Sequence, residues 1–226
     1  MGGELQLVVF DMAGTTVQDK GEVPRAFVET LAAHGIALTA EQVNAVRGAN
    51  KREAIARLLA SENQQTAAEA VYAQFRERLA AIYSTSAEAI PGAEETMREF
   101  CRRGVRIALN TGFDREITTL LLRALGWQAL ADAVVCGDDV ARGRPAPDMI
   151  LRAMALTSAS DPQHVMNVGD TVLDLQAGCA AGVRWNVGVL TGAHSHDQME
   201  RAPHTHILNS ISDIPRLTHR VECGSD

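Results

Sequence analysis

Aromatic residues make up only 4% of this chain, and its four cysteines, Cys101, Cys136, Cys179 and Cys223, form no CxxC pair. That spacing fits neither a disulfide framework nor a thiolate metal site, and three of the four, set in apolar stretches, read as small buried hydrophobes. No block of lysine and arginine exists and the formal net charge is -7, so there is no electrostatic footprint for nucleic acid or an anionic membrane. No apolar run approaches the length of a membrane span, and the N-terminus lacks the basic-then-apolar layout of a signal peptide. A soluble cytoplasmic protein is expected. Internal repeats and low-complexity tracts are also missing.

What is present is enough apolar mass for a sizeable core, 46% of 226 residues. Strand-like runs recur at LQLVVF, VRIALN, DAVVC, HVMNVG and VRWNVGVL, and helical stretches such as DREITTLLLRAL and DMILRAMAL separate the later ones. This alternation predicts an α/β fold with a Rossmann-like parallel sheet. Residues 17–90 differ: they hold no convincing strand, and apolar spacing in PRAFVETLAAHG, AEQVNAVRG, KREAIARLLA and AEAVYAQFRERLAAIY predicts about four helices. The expected organisation is an α/β core from residues 1–16 and 91–226, interrupted by a helical cap, with the turn AIPGAEE marking the return to the core.

In a parallel sheet, ligands bind at the carboxyl ends of the strands. There the sequence places Asp11 with AGTT, then Thr111 and Gly112, then GDDVARGRPAP, then GDTVLDLQAG with Asp170 and Asp174. Carboxylates converging on one crevice raise one another's pKa and cost stability unless a cation sits among them. A hard divalent ion with oxygen ligands, Mg²⁺ beside a phosphate, answers that need.

The motifs DMAGTT, LNTGF, RGRPAPD and VGDTVLD, in this order, resemble the four signatures of the haloacid dehalogenase superfamily, and the pattern is similar to its phosphonatase-like branch, the relatives of phosphonoacetaldehyde hydrolase. The resemblance implies that Asp11 is a nucleophile forming an aspartyl-phosphate, which splits one hard displacement into two easier steps. It further implies that Thr111 and the backbone amides around Ala13, Gly14 and Gly112 grip the phosphoryl oxygens. Arg144 would neutralise their charge. Mg²⁺ would be held by Asp11, the Ala13 carbonyl and Asp170, with Asp174 touching the ion or orienting a neighbour. Ala13 departs from the common DxD signature, removing an acid-base group typically worth about 10²–10⁴-fold. In the phosphonatase branch a cap lysine forms a Schiff base, and GANK places Lys51 there. This chain has Arg47 where the branch has methionine and Ala54 where it has histidine.

Three readings of Lys51 follow: Schiff-base nucleophile, recognition of an anionic substrate group together with Arg47, or a solvated first-turn lysine. With Ala54 in place of a proton shuttle, substrate contact without an essential adduct is expected. Asp138 and Asp139 read as a loop or capping pair, and Arg142 as solvated. His194 and His196, or His204 and His206, have the alternate spacing of a metal pair but read more simply as the loop, helix and strand that close the fold; His194, near a strand end, is a candidate substrate contact. The expected function is a Mg²⁺-dependent hydrolase of a small phosphorylated or phosphonate metabolite. Alternatives are phosphonoacetaldehyde hydrolase itself, a phosphate-binding regulatory module and, more weakly, a dehalogenase. Nucleic acid and membrane are not expected partners; a homodimer is compatible with the sequence, which does not fix oligomeric state.

Overall fold

The computed structural model describes residues 5–61 and 67–217, so Cys223 lies outside the described residues. Six strands, β1 (Leu7–Asp11), β2 (Arg106–Asn110), β3 (Ala133–Val135), β4 (Val165–Gly169), β5 (Trp185–Val189) and β6 (His206–Leu208), form one sheet in the order β3-β2-β1-β4-β5-β6. Every neighbouring pair is parallel.

A central parallel strand is covered on both faces, which is why LVVFD is continuously apolar up to its last residue and buried throughout. Side chains alternate across the sheet. Val8 and Phe10 pack with Met97 and Phe100 of α5 (Ala93–Arg102) on one face. Leu7 and Val9 pack with Met149, Ile150 and Ala153 of α7 (Asp148–Thr157) on the other. Each large side chain buried in this way contributes about 1.5–3 kcal/mol.

Register brings the site together. Asp11 pairs with Asn110 of β2, and Phe10 pairs with Val168 of β4, so Asp170 stands one residue beyond the level of Asp11 on the adjacent strand. The remaining core helices are α6 (Arg115–Ala124), α8 (Val172–Ala181) and α9 (His196–Glu200).

Between β1 and α5 lie α1 (Glu22–Ala32), α2 (Ala40–Ala45), α3 (Lys51–Ser61) and α4 (Ala68–Ser86), the four helices expected there. Phe27 of α1 and Phe75 of α4 stack with ring centroids 4.5 Å apart. The segment is tied to the core through α4, where the Tyr72 hydroxyl donates to Asp114 Oδ2 at 2.6 Å while Asp114 Oδ1 accepts the Ile117 N–H and caps α6.

The cysteines partly correct the sequence reading. Among those in the described residues only Cys136 is buried, and burial pushes its thiol up to about 11; Cys101 and Cys179 sit on exposed faces of α5 and α8, because small residues tolerate either side of an amphipathic helix. Among the described residues, no helix is long and apolar enough to cross a membrane.

Candidate active site

Two strand ends and the helix turn after the second deliver three carboxylates to one point. Asp11 closes β1, Asp170 follows β4, and Asp174 sits in the first turn of α8; all three are buried, and oxygens from each lie within 4.8 Å of one another. Asp174 is fixed by a capping box in which Thr171 N–H donates to its Oδ2 at 3.1 Å. Asp170 accepts the Ala193 N–H at 2.6 Å and the Thr15 hydroxyl at 3.3 Å. Arg144 bridges the group: Nη2 donates to Asp11 Oδ1 at 2.8 Å and Nη1 donates to Asp174.

Burial raises the Asp11 carboxyl to about 6, with Arg144 opposing the rise and Asp174 adding to it. Burial, then Asp11 and Asp174, also push Asp170 well above the usual carboxylate range. Burial disfavours the Arg144 charge, but the two aspartates outweigh it and hold the guanidinium protonated. One arginine against three crowded carboxylates leaves negative charge uncompensated, and the donor set there is all oxygen. Such a site fits a hard divalent cation.

Thr111, Gly112 and Ala13 line the same cavity. The Thr111 Oγ1 accepts the Phe113 N–H at 3.2 Å, so the hydroxyl caps its turn and keeps its own proton to donate. Gly14 does not line the cavity. Its N–H donates to the Val17 carbonyl at 2.7 Å, its φ is 91°, and a Cβ there would overlap the Asp170 carboxylate. Its glycine is needed for the turn and for the close approach of Asp170.

Lys51 is not solvated. It is 6% exposed, its Nζ donates to the Ala49 carbonyl at 3.0 Å, and it lies 5.4 Å from the Phe113 ring centre. Burial, then the Arg144 charge, lower its amine to about 8. The cation that lowers it is Arg144; Arg47 is separated from Lys51 by Gly48 at φ 78°. The loop reaches this depth by docking on the strand-end turns: Lys51 N–H donates to the Gly112 carbonyl at 3.1 Å and Asn50 Nδ2 to the Gly137 carbonyl at 2.7 Å. Asn50 Oδ1 meanwhile accepts the Arg52 and Glu53 N–H groups, capping α3. Arg47 also lines the cavity, half-buried.

A family model of haloacid dehalogenase-like hydrolases matches residues 5–182. Phosphonoacetaldehyde hydrolase from Bacillus cereus is 33% identical over 205 residues, covering 84% of this chain and 77% of that protein. The enzyme of the same name from Bordetella avium is 32% identical over 206 residues, covering 84% and 73%. The chain belongs to the haloacid dehalogenase-like hydrolases. A phosphonoacetaldehyde hydrolase-like protein from Oleispira antarctica shares the fold, with a TM-score of 0.84 at 24% identity over 100% of this chain and 96% of the other. This hydrolase is of the phosphatase and phosphonatase type.

The other sequence candidates fall outside its cavity. Asp139 accepts the Cys136 N–H at 2.8 Å and pairs with Arg115, and Asp138 accepts the Arg115 N–H, so both hold the loop after β3. Arg142 is exposed and pairs with Asp148 at 2.7 Å. His194 Nδ1 accepts the Val172 N–H at 2.9 Å at the start of α8, and burial lowers its pKa. No histidine joins a cluster of potential metal ligands among the described residues. Sequence reasoning missed Asn50, Asp19, Phe113 and the Ala193 amide. Asn50 had a signal, an amide side chain just before a helix; a backbone N–H such as that of Ala193 has none.

Proposed function

We propose that this hydrolase is a Mg²⁺-dependent phosphonatase-like enzyme that cleaves a small phosphorylated or phosphonate metabolite through an aspartyl-phosphate on Asp11. The observation that carries the reading is the buried Asp11–Arg144 pair, 2.8 Å long, beside the carboxylate of Asp170. A buried strand-end carboxylate held through one oxygen keeps the other free to attack. Asp11 Oδ2 attacks phosphorus and the bond from phosphorus to the leaving group breaks. Arg144, the Thr111 hydroxyl and the amides of Ala13 and Gly112 meet the phosphoryl oxygens. Water then hydrolyses the acyl phosphate and restores Asp11.

Asp11, the Ala13 carbonyl and Asp170 would hold Mg²⁺, with Asp174 bracing Arg144 behind them. When bound, the ion neutralises charge on the phosphoryl group and the carboxylates. Lys51 takes over the proton role left open at Ala13: with a pKa of about 8 its ammonium is mostly charged near neutrality and acidic enough to protonate a leaving oxygen. Residues 17–90 act as a cap. The cavity beneath them encloses about 30 Å³ of free space, room for little more than one water, so substrate enters with the segment swung away.

A second reading is supported by the same lysine. At pKa about 8, roughly a tenth of the amine is neutral at pH 7, which permits imine formation with an aldehyde, with loss of water, and so hydrolysis of the phosphonoacetaldehyde that the relatives are named for. Borohydride trapping with phosphonoacetaldehyde, followed by peptide mapping, separates the two readings by the presence of an adduct on Lys51. The primary test is a hydrolase screen of small phosphates and phosphonates with and without Mg²⁺, together with calorimetry. Mg²⁺ affinity undiminished in Asp170→Ala, or no thermal protection by fluoroberyllate and Mg²⁺, would sink the proposal.

A further inference from the structure

We infer that the substrate carries a carboxylate on the fragment attached to phosphorus and that Arg47 binds it. The inference rests on the phosphoryl-transfer reading of the same cavity. Three cations line that cavity, Arg47, Lys51 and Arg144. Arg144 is tied to Asp11 and Asp174, and Lys51 donates to the Ala49 carbonyl and is attracted by Asp11. Arg47 has no such partner. Among the described residues its guanidinium makes no ion pair, and its Nε is buried without a hydrogen-bond acceptor. Asp19, the carboxylate on the helical side of the cavity, accepts the Gly21 and Val23 N–H groups through Oδ1 at 3.1 and 3.2 Å and, among the described residues, forms no ion pair with Arg47.

A charged donor buried without an acceptor is costly, and a ligand that supplies the acceptor removes that cost. The planar guanidinium presents parallel N–H groups that match the two oxygens of a carboxylate. A second phosphoryl group fits less well. It would bring two negative charges to one arginine, against the apolar walls of Val23, Phe27 and Val43. Arg47 enters from the helical side while Asp11 and Arg144 enter from the strand ends, so the carboxylate and phosphorus occupy opposite ends of one small molecule. The substrate class is a short phosphorylated or phosphonate carboxylic acid.

The test is calorimetric titration of the Mg²⁺-loaded protein with phosphonoacetate and ethylphosphonate, which are alike in size and differ by the carboxylate. Wild type, Arg47→Met and Arg47→Lys are compared, and the same proteins are assayed on phosphoglycolate and ethyl phosphate. Phosphonoacetate is expected to bind wild type about tenfold tighter or more than ethylphosphonate. That preference should vanish in Arg47→Met and return in part in Arg47→Lys, with the same order in kcat/KM. Equal binding of the two phosphonates to wild type, or a preference that survives in Arg47→Met, overturns the inference, and turnover of ethyl phosphate in that case leaves the phosphoryl-transfer reading standing. Absence of both binding and hydrolysis overturns the two together.

Discussion

Arg144 donates through one guanidinium nitrogen to Asp11 and through the other to Asp174, so a single side chain spans the end of β1 and the first turn of α8. A fork is needed for this. Lysine has one nitrogen and cannot satisfy both carboxylates in fixed geometry. Arg144→Lys is therefore expected to lower kcat/KM at least a hundredfold while the fold remains intact by circular dichroism. A loss under tenfold would show that charge alone suffices.

Asp11 gives a pH prediction for the metal-free protein. An ordinary aspartate titrates at 3.8 and Asp11 in the fold at about 6, so between those values the folded state holds more protons and stability falls as pH rises from about 4 to about 6. The difference is on the order of 3 kcal/mol. Asp11→Asn removes it, and should raise the metal-free melting temperature by several °C at pH 7, with less effect at pH 4, while abolishing turnover. A lower melting temperature at pH 7 would mean that the lost pairing with Arg144 outweighs desolvation.

If the Lys51 ammonium protonates the leaving group, Lys51→Met should harm substrates in proportion to how poor that group is. Alkyl phosphates should lose about 10²–10⁴-fold in kcat. An aryl phosphate with an acidic phenol should lose little. Equal losses on both would assign Lys51 to binding.

Asn50 holds Lys51 in place without entering the cavity. Asn50→Ala removes the bond to the Gly137 carbonyl and the cap of α3. If Lys51 is the acid, the alkaline limb of the rate profile is expected near 8 and should move upward as the amine meets water. Loss of the cap alone would lower the melting temperature, typically by about 1 kcal/mol of stability, and leave the limb where it was.

The sheet and its carboxylates were legible because a central parallel strand is apolar on both faces, so a carboxylate at its end is conspicuous. Asp11, Asp170 and the four helices after β1 could be read from the chain for that reason. The surroundings of Lys51 could not. A first-turn lysine is solvated by default, and its burial here depends on Ala49 and Asn50 seating against Gly112 and Gly137, more than sixty residues away. Gly14 shows the same limit: local sequence reads it as a phosphate-loop glycine, whereas its tight neighbour is Asp170, from another strand. The exposed Cys101 and Cys179 were misread because an apolar neighbourhood in sequence does not say which side of a helix a residue takes.

In the proposed mechanism the two hydrogen bonds that seat the lysine loop, from Lys51 N–H to Gly112 and from Asn50 to Gly137, would also set a clock. Each catalytic cycle would have to break them to admit substrate and re-form them before Lys51 acts. A tighter latch would align the amine better and release product more slowly, so the strength of these contacts is bounded from both sides, and the fastest enzyme is one whose loop is only moderately well seated.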